Sequence, residues 1–277
     1  MRTSMNKLEV LISAMHQKDM SIAEKTHCTT DVLIINQTDN EGYMEVVDGG
    51  RTIRMVSTAQ RGISKSRNMA LMHAKGDICL LCDDDEVLEE GYEKTILDAY
   101  SRNPQADIIA FNYKDLNPRM VHKDIIKEGR SSKWHTFSTL SLSFRRESVL
   151  KSGVWFDCRI GTGSGIISAG EETAWQNTAI RKNLCRWEVP ETIATVSQET
   201  STWFEGFDEH FFYDKGANLR INHPYLCYIL QFYYLMKMQK ASKLSMCSQL
   251  KWMMSGMKGI LKEMSYKEYV SKKKREQ

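Results

Sequence analysis

The stretch Ile78-Cys79-Leu80-Leu81-Cys82-Asp83-Asp84-Asp85 sets five apolar residues directly against three carboxylates. A short apolar run without alternation reads as a strand buried on both faces of a parallel sheet. In open α/β sheets, ligands bind in the crevice beyond the carboxyl ends of the strands. The acidic run therefore falls where a metal ion and a phosphorylated ligand would meet. Hard oxygen ligands suit Mg²⁺ or Mn²⁺, which take one or two protein carboxylates and complete their shell with water and phosphate oxygens. The same residues also read as a solvated acidic turn, with Asp83 or Asp84 capping a helix near residues 89–101.

Working outward, further apolar runs alternate with helical patterns. Residues 8–12, 31–36, 52–57, 77–82 and 107–113 read as strands, and residues 20–27, 64–74 and 89–101 as helices. This βαβ series predicts an α/β fold, a mostly parallel central sheet flanked by helices. Gly62 precedes the second of these helices, Ser64 is its expected N-cap, and Lys75-Gly76 ends it. Lys65, Arg67 and Asn68 then lie in its first turns. Cations there oppose the helix dipole unless an acceptor-rich ligand lies nearby, and otherwise simply point into water. The pair Cys79 and Cys82 has CxxC spacing, but in a strand that spacing sends the side chains to opposite faces, so both read as core.

After Tyr113 the pattern loosens. A strand is expected at 138–144, followed by the loop Gly161-Thr162-Gly163-Ser164-Gly165, and Gly170-Glu171-Glu172 opens a helix toward Lys182. Glycines suit a loop that closes over substrate as well as a plain turn. Acids in a first helical turn have a dipole explanation, yet a carboxylate opposite a metal-bound phosphate ester is also what deprotonates an attacking hydroxyl.

The 277 residues carry a net charge of +3 that hides an asymmetry: +8 over residues 237–277 against −5 over residues 1–236. An acidic body argues against nucleic acid as a partner, and a basic tail suits an anionic surface. The seven cysteines, odd in number and scattered, argue against a disulfide framework. Residues 1–15 lack a signal-peptide pattern, and Met5 is an alternative start. The expected location is the cytoplasm, with peripheral contact on the inner face of the membrane. Residues 225–236 are apolar and aromatic but shorter than the ~20 residues that span a bilayer. Farther on, Leu250, Met253, Met254, Met257, Ile260, Leu261 and Met264 recur at helical spacing. That stripe reads either as a helix packed on the catalytic domain or, with Trp252 and the lysines between, as an interfacial membrane helix.

Three motifs, in order and spacing, resemble the family 2 glycosyltransferases of GT-A fold over roughly residues 8–215. Arg61-Gly62-Ile63-Ser64-Lys65-Ser66-Arg67-Asn68 is similar to the family's Gly-x-x-x-Ala-Arg-Asn helix start. Asp83-Asp84-Asp85 is similar to its Asp-x-Asp metal motif, and Gly170-Glu171-Glu172 to its Gly-Glu-Asp base motif. Ser201-Thr202-Trp203-Phe204 and Asp214-Lys215-Gly216 resemble capsule and exopolysaccharide transferases within the family.

The resemblance implies an inverting, metal-dependent enzyme moving a sugar from a nucleotide-diphosphate donor, UDP favoured, to a glycan or lipid-linked acceptor in surface polysaccharide synthesis. Arg67 with Asn36 or Asp39 would contact the nucleotide base, and Asp83 and Asp84 would line the nucleotide site. Asp85, with Asp83, would ligate Mn²⁺ or Mg²⁺. Glu172, beside Glu171, would be the general base.

Ser13-Ala14-Met15-His16 stands where the family has Pro-Thr-Tyr-Asn, Asn36-Gln37-Thr38-Asp39 where it has Asp-Asp-Gly-Ser, and Glu replaces Asp at the base position. The expected organisation is a catalytic domain over 1–222, with a nucleotide-binding half near 1–115 and an acceptor-binding half near 116–222, followed by a basic helical region over 223–277. A sugar nucleotidyltransferase would need a Gly-rich loop after the first strand, and residues 13–19 contain no glycine. The reading from another class is a non-catalytic nucleotide-sugar binding or scaffold subunit.

Overall fold

The structure is a computed structural model that describes residues 6–117, 123–197, 206–238 and 242–275. The motif 201–204 lies outside the described residues. The strands are β1 (Leu8–Met15), β2 (Asp31–Gln37), β3 (Gly42–Asp48), β4 (Arg51–Thr58), β5 (Ile78–Asp83), β6 (Glu86–Leu88), β7 (Ile108–Asp115), β8 (Gly129–Arg130), β9 (Leu142–Arg145) and β10 (Arg186–Val196). The helices are α1 (Ile22–Lys25), α2 (Ile63–His73), α3 (Tyr92–Arg102), α4 (Arg146–Ser152), α5 (Glu171–Arg181), α6 (Glu209–Asn222), α7 (Cys227–Met238), α8 (Met246–Gly259) and α9 (Tyr266–Arg275).

Among the described residues the strands form one sheet ordered β3-β4-β2-β1-β5-β9-β7-β10-β6, with β8 on β10. Its β4-β2-β1-β5 segment is parallel throughout, and β7 and β10 are also parallel. The continuous apolar runs are explained by two-sided burial. Val10, Ile12, Ile34, Leu80 and Cys82 pack in one cluster, while Leu11, Leu33, Ile35, Cys79 and Leu81 pack in another. Cys79 and Cys82 thus fall in separate clusters, as the strand period requires.

A polar anchor joins three of these elements. The buried Glu9 carboxylate pairs with the buried Arg54 and accepts from the backbone N–H of Gly76 at 2.8 Å. A Cβ at residue 76 would lie 2.6 Å from Glu9 Cβ, so only glycine fits the turn entering β5.

Several local expectations are corrected. Helix α2 begins at Ile63, so Ser64 lies inside it and its hydroxyl donates to the Ile160 carbonyl at 2.6 Å instead of capping. The residues near 138–144 form a 3₁₀ turn (Thr139–Ser141), with Ser138 as its N-cap, before the four-residue β9. Neither Asp83 nor Asp84 caps α3, because β6 intervenes and Gly91 occupies the cap position.

The chain divides into two compact units. One comprises Met1–Arg61, Lys65–Phe156 and Trp175–Thr200 and holds the sheet. The other comprises Gly62–Ser64, Asp157–Ala174 and Ser201–Gln277. In the second unit, α6 and α8 approach backbone to backbone. A Cβ at Gly216 would sit 1.9 Å from the Met253 carbonyl oxygen, and one at Gly256 1.8 Å from that of Tyr213. The packing of this unit is therefore continuous across residue 222. Trp252, Met253, Met257 and Ile260 are buried in its core with Phe212, Tyr213 and Ala217. That assigns Met253, Met257 and Ile260 of the stripe to packing and leaves Met254 and Leu261 exposed, and Trp252 is not free to enter a lipid interface.

Candidate active site

In the sheet unit, the site is built where β5 ends. Parallel pairing of β5 with β1 places Asp83 beside Ser13, and α2 runs over the same end of the sheet through Ser66, whose hydroxyl donates to Ser13 Oγ at 2.9 Å. One helical step farther on, Arg67 is buried. Its guanidinium donates to both oxygens of Asp83, at 3.1 and 3.2 Å, and to Thr139 Oγ1 at 2.8 Å. It also lies 5.6 Å from the centroid of the Phe156 ring. Lys65, by contrast, is exposed. Thr139 and Phe156 had no signal of their own in the sequence, since each lies far along the chain from Arg67 and is brought in by tertiary packing.

The acids that follow differ from Asp83. Asp84 and Asp85 reach solvent, yet the protein around each carboxyl partly desolvates it. Desolvation first and the neighbouring Asp83 second raise the Asp84 carboxyl above its ordinary range, against a hydrogen bond with the Met15 backbone. Asp85 is pushed up to about 6 by desolvation, Asp83 and Asp84, in that order. Glu86, next in line, is fully buried, and burial raises it well above the ordinary range. Neither of its carboxylate oxygens has a hydrogen-bond partner among the described residues. Three consecutive carboxyls, Asp84, Asp85 and Glu86, thus sit where negative charge is held unfavourably by the protein alone.

Among the described residues, no group of three or more His, Cys, Asp or Glu is arranged to hold a metal ion. A Mg²⁺ or Mn²⁺ site completed by phosphate oxygens needs only one or two carboxylates. Asp85 and Asp83 meet that requirement in donor chemistry, and the disfavoured charge on Asp85 is of the kind a cation relieves.

The two residues proposed for base contact are engaged in different ways. Asn36, at the end of β2, accepts from the Gln17 N–H at 2.9 Å and donates to the Gln17 carbonyl at 2.8 Å, which fixes the loop after β1. Its amide also reaches Ser57 Oγ at 3.3 Å. Asp39 is exposed and pairs with Arg61 at 2.6 Å, while Arg61 also donates to the Thr38 carbonyl at 2.9 Å.

In the second unit, Glu171 and Glu172 open α5 and are both partly buried. Gly170 before them has φ +105°, and a Cβ there would strike the Asn218 amide at 2.6 Å. Asn218 in turn donates to the Ala169 carbonyl at 2.7 Å. The Gly-rich loop is stitched to the start of α2. The Ile63 N–H donates to the Thr162 carbonyl at 2.9 Å, and Gly62 packs on Gly163. Gly161 packs against the Glu171 carboxylate, 3.2 Å from where its Cβ would be. Asp214 accepts from the Ser168 N–H and hydroxyl, at 2.8 and 2.5 Å, and lies 3.5 Å from His210. Burial raises its carboxyl despite these donors.

The chain matches the model of glycosyl transferase family 2 over residues 8–160. No curated protein matches it by sequence. Crystal structures of S. aureus TarS residues 1–349 share its fold. The complex with UDP-GlcNAc superposes with a TM-score of 0.59 at 12% identity, covering 94% of this chain and 73% of TarS 1–349. The complex with UDP gives a TM-score of 0.58 at 12% identity, covering 91% and 71%. The family match spans the β1–β5 sheet, Arg67 and the acidic run, and with this mostly parallel sheet flanked by helices it leads to one assignment: the chain belongs to glycosyl transferase family 2 and has the GT-A fold.

Proposed function

We propose that this glycosyltransferase moves a sugar, with inversion, from a nucleotide-diphosphate donor to a hydroxyl of a glycan or lipid-linked acceptor in surface polysaccharide synthesis. The observation that carries the reading is the clustering of Arg67, Asp83, Asp84 and Asp85 at the carboxyl end of β5, within the segment that matches the family. UDP is the favoured nucleotide, in keeping with the UDP and UDP-GlcNAc complexes of the TarS structures that share the fold.

In this reading Arg67 orients Asp83 toward the ribose and diphosphate. Asp85, with Asp83, would hold a Mg²⁺ or Mn²⁺, which would supply positive charge against the diphosphate. Glu172 takes the proton of the acceptor hydroxyl as its oxygen forms the bond to the anomeric carbon. The bond from that carbon to the diphosphate oxygen breaks on the opposite side, and the nucleoside diphosphate leaves with the electron pair. Glutamate in place of aspartate preserves this chemistry with a longer reach. Asn36 acts by holding the loop at Gln17, beside the nucleotide site.

The test is transfer from UDP-sugars to saccharide acceptors by the wild type and by Glu172→Gln, with nucleotide affinity measured in parallel. General base catalysis contributes ~10²–10⁴-fold, so Glu172→Gln should lose transfer by that order while binding nucleotide normally. Undiminished transfer removes Glu172 as the base. A wild type that binds nucleotide but transfers to nothing fits a scaffold subunit instead.

A further inference from the structure

Helix α7 presents a face that its own unit leaves bare. Cys227, Gln231 and Leu235 turn inward and are buried. Tyr225, just before the helix, and Ile229, Phe232, Tyr233 and Met236 on it are each between 54% and 92% exposed. Their spacing of four, three, one and three residues puts them along one stripe of the helix. Scattered exposed apolar residues are ordinary, but a contiguous aromatic and aliphatic stripe marks a surface with a partner.

The charge of the chain that carries the stripe says which partner. From Lys215 to Lys262 the sequence contains eight Lys or Arg and neither Asp nor Glu. Lys237, adjoining the stripe, is exposed, as are Lys243, Lys251, Lys258 and Lys262 in the same unit. A second copy of this chain would bring like charges together, which disfavours self-association through this face. A surface that is anionic at its rim and apolar beneath complements it. Tyrosines and phenylalanine suit that boundary, their rings entering the apolar layer and the tyrosine hydroxyls staying at the polar level. Helix α7 is far too short to span, and among the described residues no helix is long and apolar enough to cross a membrane.

We infer that the outward stripe of α7 inserts into the interface of an anionic lipid bilayer, with Lys237 and other exposed lysines of the unit held at the headgroups. This replaces α8, whose Trp252, Met253 and Met257 are spent on the core, as the membrane-facing element. It adds a docking surface to the proposed transferase and does not depend on turnover.

The experiment is co-sedimentation of the full chain, without nucleotide, with vesicles of phosphatidylcholine alone or of phosphatidylcholine with phosphatidylglycerol. The wild type should bind the mixed vesicles, bind neutral ones weakly, and be released by salt. The variant Ile229→Ser/Phe232→Ser/Met236→Ser should partition at least about tenfold less, since each side chain removed forfeits apolar burial. A second variant, Phe232→Trp, should gain fluorescence quenching by brominated acyl chains relative to the wild type, a readout that leaves the stripe apolar. Failure to bind mixed vesicles overturns the inference, as does binding undiminished in the triple variant. A wild-type dimer without vesicle affinity that the triple variant converts to monomer overturns it in favour of a second copy. Because vesicle binding needs no donor sugar, its failure leaves the transferase reading intact, and loss of transfer leaves the membrane inference intact.

Discussion

Arg67 donates to both carboxylate oxygens of Asp83, at 3.1 and 3.2 Å, from a guanidinium that is itself buried against Thr139 and Phe156. The helix that starts the family motif and the strand that ends in the acidic run are therefore joined by one ion pair. Truncating one partner leaves the other charge without compensation. A fully buried pair so broken costs about 3–5 kcal/mol, and because Asp83 is partly exposed we expect about 2 kcal/mol for Arg67→Met. Chemical denaturation of both proteins checks this. Restoration of stability in Arg67→Met/Asp83→Leu would identify the loss as an unpaired charge, whereas a single variant of wild-type stability would show that the pair contributes nothing to the fold.

The close crossing of α6 and α8 depends on Gly216 and Gly256, where an added Cβ would fall within 2 Å of a carbonyl oxygen on the facing helix. The obstructing atoms are backbone, so the helices must separate. Overpacking of a well-filled core typically costs about 1–3 kcal/mol, and Gly256→Ala should reach at least the upper part of that range despite alanine's better helix propensity. A melting temperature equal to or above that of the wild type would mean that the two helices do not meet at Gly256.

Lys215 is held down to about 8, first by burial and second by the nearby Lys237, although the Tyr234 ring lies 4.0 Å from its ammonium. The ordinary lysine value is 10.5. Between pH about 8 and 10.5 the unfolded chain binds more protons at this site than the folded one, so this group makes stability rise with pH across that window. Below it the burial penalty is present in full. Lys215→Met should therefore stabilise the protein most near pH 7, with the advantage shrinking as pH approaches 10.5. Melting curves of the two proteins across this range provide the check, and a difference that does not vary with pH would contradict the assignment.

The elements that could be read from the sequence are those whose environment is simple. Strands β1, β2, β4, β5 and β7 lie in the interior of the sheet and announce themselves as apolar runs. Strand β10 does not, because Pro190 stands in its middle and cannot donate to a ladder. The sheet absorbs it by a register shift between Glu188 and Thr192. Strand β3 is exposed along its whole length, so its apolar residues Tyr43, Met44, Val46 and Val47 mark no buried face, and its cue is the Gly49-Gly50 turn to β4 with both φ values positive. The placement of the acidic run at the end of β5 was legible because it follows from the strand before it. The burial of Arg67 was not, since Thr139 and Phe156 reach it only through the tertiary fold. The face of α7 was hidden for a similar reason: residues 225–236 and the α8 stripe both read as apolar, and only packing distinguishes the stripe that is largely covered from the one that is not.

The central claim is that the carboxyl end of β5 binds a nucleoside diphosphate through a divalent cation. The most direct measurement is calorimetric titration of the wild type and of Asp85→Asn with UDP, GDP, dTDP and CDP, each with and without Mn²⁺. The account predicts that the wild type binds one nucleotide, UDP, in a manner that requires Mn²⁺, and that Asp85→Asn loses most of that affinity while remaining folded. Absence of any nucleotide binding in the presence of Mn²⁺, or UDP binding that neither Mn²⁺ nor Asp85→Asn alters, would contradict it.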